Sequence, residues 1–110
     1  MAQWGHEAGA AIAAALPEVD DLGRPVRITV LTRAGCHLCE VALRMIDAVI
    51  ADAAPPVGCA AIDIDRQNEP AAAELAGRYG DWLPVIFVDG RQHDYWSVDP
   101  VRLNTALRAP

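Results

Sequence analysis

The chain has 110 residues, which suits one domain with one core and leaves no room for a second. Apolar residues make up 53% of it, but many are Ala and aromatics are few, so the core must come from the Val, Ile and Leu of a few short segments. The net charge is −6 and all nine basic residues are Arg scattered singly, which excludes a basic patch for nucleic acid or for an anionic membrane surface.

No apolar run approaches the roughly 20 residues of a spanning helix. The stretch 8–16 is Ala-rich, follows Glu7 and has no Lys or Arg before it, so it reads as a tail rather than as the apolar part of a signal peptide. Residues 1–24 form an extension broken by Gly5, Gly9, Pro17 and Gly23, expected to be poorly ordered and to carry no chemistry. Residues 25–110 are the expected folded domain. Three Cys are too few and too odd in number for a secreted disulfide scaffold, so the expected setting is the cytoplasm.

The segment 26–32, VRITVLT, is rich in β-branched residues and predicts a strand. Arg33, Ala34 and Gly35 end it. Leu38, Val41, Ala42, Met45, Ile46 and Val49 then recur at helical spacing and predict a helix over 36–51 with Leu38 in its buried stripe. A second strand is expected over 57–64. A second helix is expected over 70–79, with Pro70 in its first turn and Gly80 as its C-terminal cap. Residues 84–88 form a short, wholly apolar strand. Asp89-Gly90 suits a two-residue hairpin turn that needs positive φ, and the polar strand 91–96 returns along an edge. Asp99-Pro100 opens a last helix with Val101, Leu103, Ala106 and Leu107 on its apolar side. The order β-α-β-α-β-β-α implies an α/β fold: a parallel crossover plus an antiparallel hairpin, giving a mixed four-stranded sheet flanked by helices.

The chemistry centres on Cys36-His37-Leu38-Cys39. Two Cys three apart on the first turn of a helix face nearly the same way and can close a disulfide. Cys36 sits where unpaired N–H groups and the positive end of the helix dipole favour a thiolate, so it is the expected nucleophile. Cys39, one turn along and more buried, is the expected resolving thiol. His37 either supports the thiolate or faces solvent and tunes its potential. Zinc sites also use this spacing, but no second Cys pair or His pair accompanies it, so no metal site is expected. Cys59, in a small-residue strand, reads as a buried small hydrophobe. Pro84 heads an apolar strand, either as a simple strand start or as a cis bend toward the Cys pair.

Residues 28–39, residues 82–90 and the order of elements joining them resemble the glutaredoxin-like branch of the thioredoxin superfamily, from about residue 26 to the C-terminus. The resemblance implies a thioredoxin-like fold and a cis Pro84 packed beside Cys36. It implies that the backbone of Leu83 pairs with the bound thiol substrate, and that Arg33 holds a carboxylate of glutathione. Two departures stand out. Trp82-Leu83 replaces the usual Thr-Val. Tyr95 and Trp96 stand near the place of a Gly-Gly pair that lets glutathione approach the backbone, so weak glutathione binding is expected and their rings offer an apolar platform for a protein partner.

The function this implies is a thiol–disulfide oxidoreductase with no bound cofactor, acting as a monomer on a protein disulfide or a small-thiol mixed disulfide. Its electrons would come from glutathione, another small thiol or a reductase. The competing readings are a non-catalytic redox sensor or interaction module, and a Cys-ligated metal or iron–sulfur site shared across a dimer.

Overall fold

The computed structural model describes residues 19–66 and 72–108. Its elements are β1 (Val26–Thr32), α1 (His37–Ala51), β2 (Gly58–Asp63), α2 (Ala72–Tyr79), β3 (Val85–Val88), β4 (Arg91–Tyr95) and α3 (Pro100–Arg108). The strands form one mixed sheet in the order β2-β1-β3-β4, with β1 parallel to β2 and antiparallel to β3. This is the thioredoxin-like architecture.

Alternation along the two central strands divides the core. Ile28 and Val30 of β1 and Ile86 and Val88 of β3 pack with Ala42, Ile46 and Ile50 of α1 and Leu103 of α3. Leu31, Val85 and Phe87 pack on a second cluster with Ile62, Ile64 and Tyr79, the last from α2. Tyr79 and Phe87 meet edge to face at 5.7 Å. The short β3 is buried along its whole length, as a continuous apolar run requires when both faces are covered.

The turn chemistry follows the local sequence. Asp89 and Gly90 take φ of 53° and 81°, the positive values the hairpin needs. Arg27 grips the hairpin through both oxygens of Asp89, at 2.9 and 2.7 Å, and donates to the Leu107 carbonyl at 2.7 Å in the last turn of α3. The Asp99 carboxylate caps α3 by accepting from the Val101 and Arg102 amides. β4 is an edge strand, and the register shift opposite Ile86 and Phe87 makes His93 a bulge; Arg102 donates to the His93 carbonyl at 3.3 Å. Gly80 ends α2 as expected, but the reason is space: a Cβ there would lie 2.7 Å from the Ala76 carbonyl oxygen.

One expectation needs correction. Leu38 is 52% exposed, and the buried stripe of α1 is Cys39, Ala42, Ile46 and Ile50. Neighbouring helix residues point about 100° apart, so burying Cys39 turns Leu38 outward. Residues 19–24, the described end of the N-terminal extension, form a tight loop. Val19 bridges Pro25, the Asp20 carboxylate accepts from the Leu22 and Arg24 amides and the Arg24 guanidinium, and the loop seats so closely on Gly58 that a Cβ would sit 2.9 Å from an Asp20 oxygen. Residues 1–18, and Pro70 at the start of the second helix, lie outside the described residues.

The rotated stripe is directly testable by denaturant unfolding. Ile46→Ala should lose about 2–5 kcal/mol, the range for a truncated core aliphatic. Leu38→Ala should change stability by no more than about 0.5 kcal/mol. Comparable losses for the two would return Leu38 to the core.

Candidate active site

β1 ends at Thr32, and the chain turns through residues 33–36, where the Cys36 amide donates to the Arg33 carbonyl at 3.2 Å. Gly35 takes φ 77°, which a side chain would resist, and so lets the turn deliver Cys36 to the N-cap of α1. Cys36 has the extended backbone of a cap residue, and its Sγ accepts from the Cys39 amide at 3.2 Å. Its carbonyl accepts from Glu40, the first bond of the helix. Cys36 and Cys39 are joined as a disulfide, with their Cα atoms 5.2 Å apart. Cys36 is partly exposed, whereas Cys39 is 2% exposed.

Pro84 is buried and the Leu83–Pro84 bond is cis. Leu83 packs in the same cluster as Cys36 and Cys39. The carbonyls on either side of Leu83 are both taken: the Trp96 amide donates to Pro84 at 2.8 Å and to Trp82 at 3.3 Å. Leu83's own backbone N–H and carbonyl have no partner among the described residues.

The remaining candidates flank this centre. Arg33 forms a two-point ion pair with Asp65, at 2.8 and 3.2 Å, and reaches the Gly80 carbonyl at 3.5 Å. The Asp65 carboxylate holds the guanidinium even more firmly charged than usual. Both partners are well exposed, so the pair is weak and exchangeable. His37 projects into solvent, 4.0 Å from Glu40. Tyr95 and Trp96 do not stand alone. Trp96 stacks on Trp82 at 5.5 Å and 17°, and Tyr95 meets both rings edge-on at 5.0 and 5.4 Å. Sequence reasoning missed Trp82 and Asp65 as members of the site. Trp82 had a signal in its place one residue before Leu83; Asp65 had only the end of an alternating strand.

Cys59 lies away from this centre, half buried against the α1 and α3 side of the core and free of any disulfide. Burial, with Asp47 nearby, pushes its thiol up to about 12. Among the described residues no group of three or more His, Cys, Asp or Glu is placed to hold a metal ion, and no helix is long and apolar enough to cross a membrane.

Residues 27–108 match the family model of the Glutaredoxin-like domain (DUF836). An uncharacterized protein of Mycobacterium tuberculosis, Rv0508, is 37% identical over 88 residues, covering 78% of this chain and 86% of the relative. Among solved structures, a structural-genomics target protein from X. campestris, XcR50, is similar at 27% identity and a TM-score of 0.56, over 76% of this chain and 99% of that one. The glutaredoxin from Methanosarcina mazei shares the fold at 10% identity and a TM-score of 0.53, over 83% of this chain and 97% of that one.

Cys59 supplies a chemical check on the site's selectivity. With the disulfide intact, iodoacetamide at pH 8 should modify Cys59 at least about tenfold more slowly than a free cysteine peptide, because little thiolate forms. A thiol raised on folding adds stability below its unfolded pKa and loses it as pH climbs toward 12. Unfolding midpoints should therefore fall between about pH 9 and 11, and Cys59→Ala should flatten that part of the decline. Rapid alkylation would contradict the buried, protonated thiol.

Proposed function

The chain belongs to the glutaredoxin-like family, and from that premise we propose that it is a thiol–disulfide oxidoreductase that reduces protein or mixed disulfides with Cys36 and Cys39. The observation that carries this reading is the asymmetry of the pair. Cys36 is accessible at the helix N-cap with a backbone N–H on its sulfur, and Cys39 is buried one turn behind it.

In the reduced protein the N–H of Cys39 and the helix dipole favour a thiolate at Cys36. That thiolate attacks one sulfur of a substrate disulfide. A Cys36–substrate S–S bond forms, the substrate bond breaks and the second substrate sulfur leaves as a thiolate that takes up a proton. The Cys39 thiol then loses its proton and attacks the Cys36 sulfur, forming the Cys36–Cys39 disulfide and expelling the first substrate thiolate. Two electrons have passed to the substrate, and an external thiol or reductase returns them. A cytoplasmic setting suits a pair that must be reduced after every turnover, and a monomer without a bound cofactor suffices for these steps.

The Leu83 backbone groups, without a partner among the described residues, fit the strand-like pairing of an extended substrate beside Cys36. Glutathione is the weaker partner in this reading. Its carboxylate must displace Asp65 from Arg33, and its far end meets Tyr95 and Trp96 packed on Trp82.

Two tests follow from this reading. Cys36→Ser should abolish turnover, while Cys39→Ser should accumulate a substrate mixed disulfide on Cys36, read by intact mass. In the Cys39→Ser protein, Cys36 should alkylate at pH 6 faster than a free thiol. A Cys36 no more reactive than a free thiol would remove the nucleophile from the scheme.

Steady-state assays should give a glutathione KM above the millimolar range. Asp65→Ala, which releases Arg33, should lower that KM by about two- to fivefold, the scale of one exposed ion pair. A sub-millimolar KM in the unaltered protein would refute the weak-glutathione reading.

A further inference from the structure

We propose that Trp96 is a positioning residue: it clamps the chain on both sides of Leu83 and so presents the Leu83 backbone to an extended peptide substrate. This rests on the oxidoreductase reading of Cys36 and Cys39.

The first observation is conformational. Trp96 takes φ 66°, the left-handed region that a bulky side chain rarely adopts. Such a residue persists where its surroundings over-determine it, and these places cluster at functional sites. The surroundings here are explicit. The Trp96 amide spans two acceptors, the carbonyls of Pro84 at 2.8 Å and Trp82 at 3.3 Å. Its indole N–H donates to the Asp81 carbonyl at 3.3 Å. Its ring lies flat on Trp82.

The second observation is what the clamp encloses. Three of the four carbonyls from 81 to 84 accept from Trp96, and the fourth, that of Leu83, has no partner among the described residues, nor has the Leu83 N–H. Trp96 directly follows β4, whose last residue, Tyr95, is paired with Val85 at the start of β3. The clamp therefore ties the loop before β3 to the sheet itself. Trp96 is nonetheless 50% exposed, so a driving force from burial alone does not explain its place. Its backbone and indole bonds do.

The clamp matters only for a substrate that pairs with a backbone. A peptide disulfide brings amides to meet Leu83, whereas bis(2-hydroxyethyl) disulfide has none. The test uses pre-reduced full-length protein in single-turnover mixing with two probes: bis(2-hydroxyethyl) disulfide, and the symmetric disulfide of the blocked tripeptide acetyl-Ala-Cys-Ala-amide. Acid quenching, alkylation and intact mass give the second-order rate constant for each.

In Trp96→Ala, which loses both the indole bond and the stack on Trp82 while keeping the backbone amide, the ratio of the peptide constant to the small-disulfide constant should fall by about tenfold or more, the scale of one hydrogen bond and one aromatic stack lost together. Trp96→Phe keeps the stack and loses only the indole bond, and its ratio should stay within about threefold of the original. If the Ala variant does not fold, Trp96→Gly, which accepts the positive φ, makes the same comparison. An unchanged ratio in the Ala or Gly variant, or equal losses on both probes, overturns the clamp while leaving the oxidoreductase reading in place. Failure of the unaltered protein to react with either probe overturns that reading, and the clamp with it.

Discussion

Residues 28–31 of β1 are buried without a break, and the positions of all the chemical groups follow from that. A strand covered on both faces cannot shift register without unseating its side chains from close-packed neighbours on each face. Its partner β3 runs antiparallel, with Leu31 opposite Val85, so the end of β1 and the start of β3 meet at one edge of the core. Cys36 is delivered by the turn that follows β1, and Leu83 and Pro84 by the loop that precedes β3. The two halves of the site come together because two strand ends do.

The same residues serve packing and chemistry. Cys39 and Leu83 are core residues by burial and site residues by position. The Cys39 sulfur, held in a close-packed cluster, is restricted to few rotamers, so its reach toward Cys36 is set by the fold. Arg33, by contrast, is held by an exposed ion pair that solvent and other anions contest. The centre of the site is therefore rigid on one side and exchangeable on the other.

Much of this was legible in the residues. The strand–helix–strand spacing, the Asp89-Gly90 turn, the Asp99 cap and the Cys pair at a helix start are local signals, and each lies where its own chemistry places it. The phase of α1 departs from the apolar periodicity because Cys39 packs as a small apolar side chain and takes a place in the stripe. Once it joins the stripe, Leu38 must leave it. The loop over 19–24 depends on Gly58, which is distant in sequence and has no side chain to announce a contact. The pairing of Arg33 with Asp65 and the stacking of Trp82 on Trp96 likewise join residues 32 and 14 positions apart, and no periodicity reports such contacts.

The Cys36–Cys39 disulfide also bears on how redox state and folding are linked. Its sequence separation is three, so it closes one of the shortest rings a protein disulfide can make. Chain-entropy reasoning assigns such a ring about 2 kcal/mol of restraint on the unfolded chain, against about 4.7 kcal/mol for a loop of about 100 residues. Opening it gives the denatured ensemble less than half the extra freedom that opening a long loop would. The helix start, the sheet and both core clusters are held by bonds and contacts that do not include the sulfur–sulfur link. The redox couple is thus linked to global unfolding less than half as strongly as a long-range bridge would be.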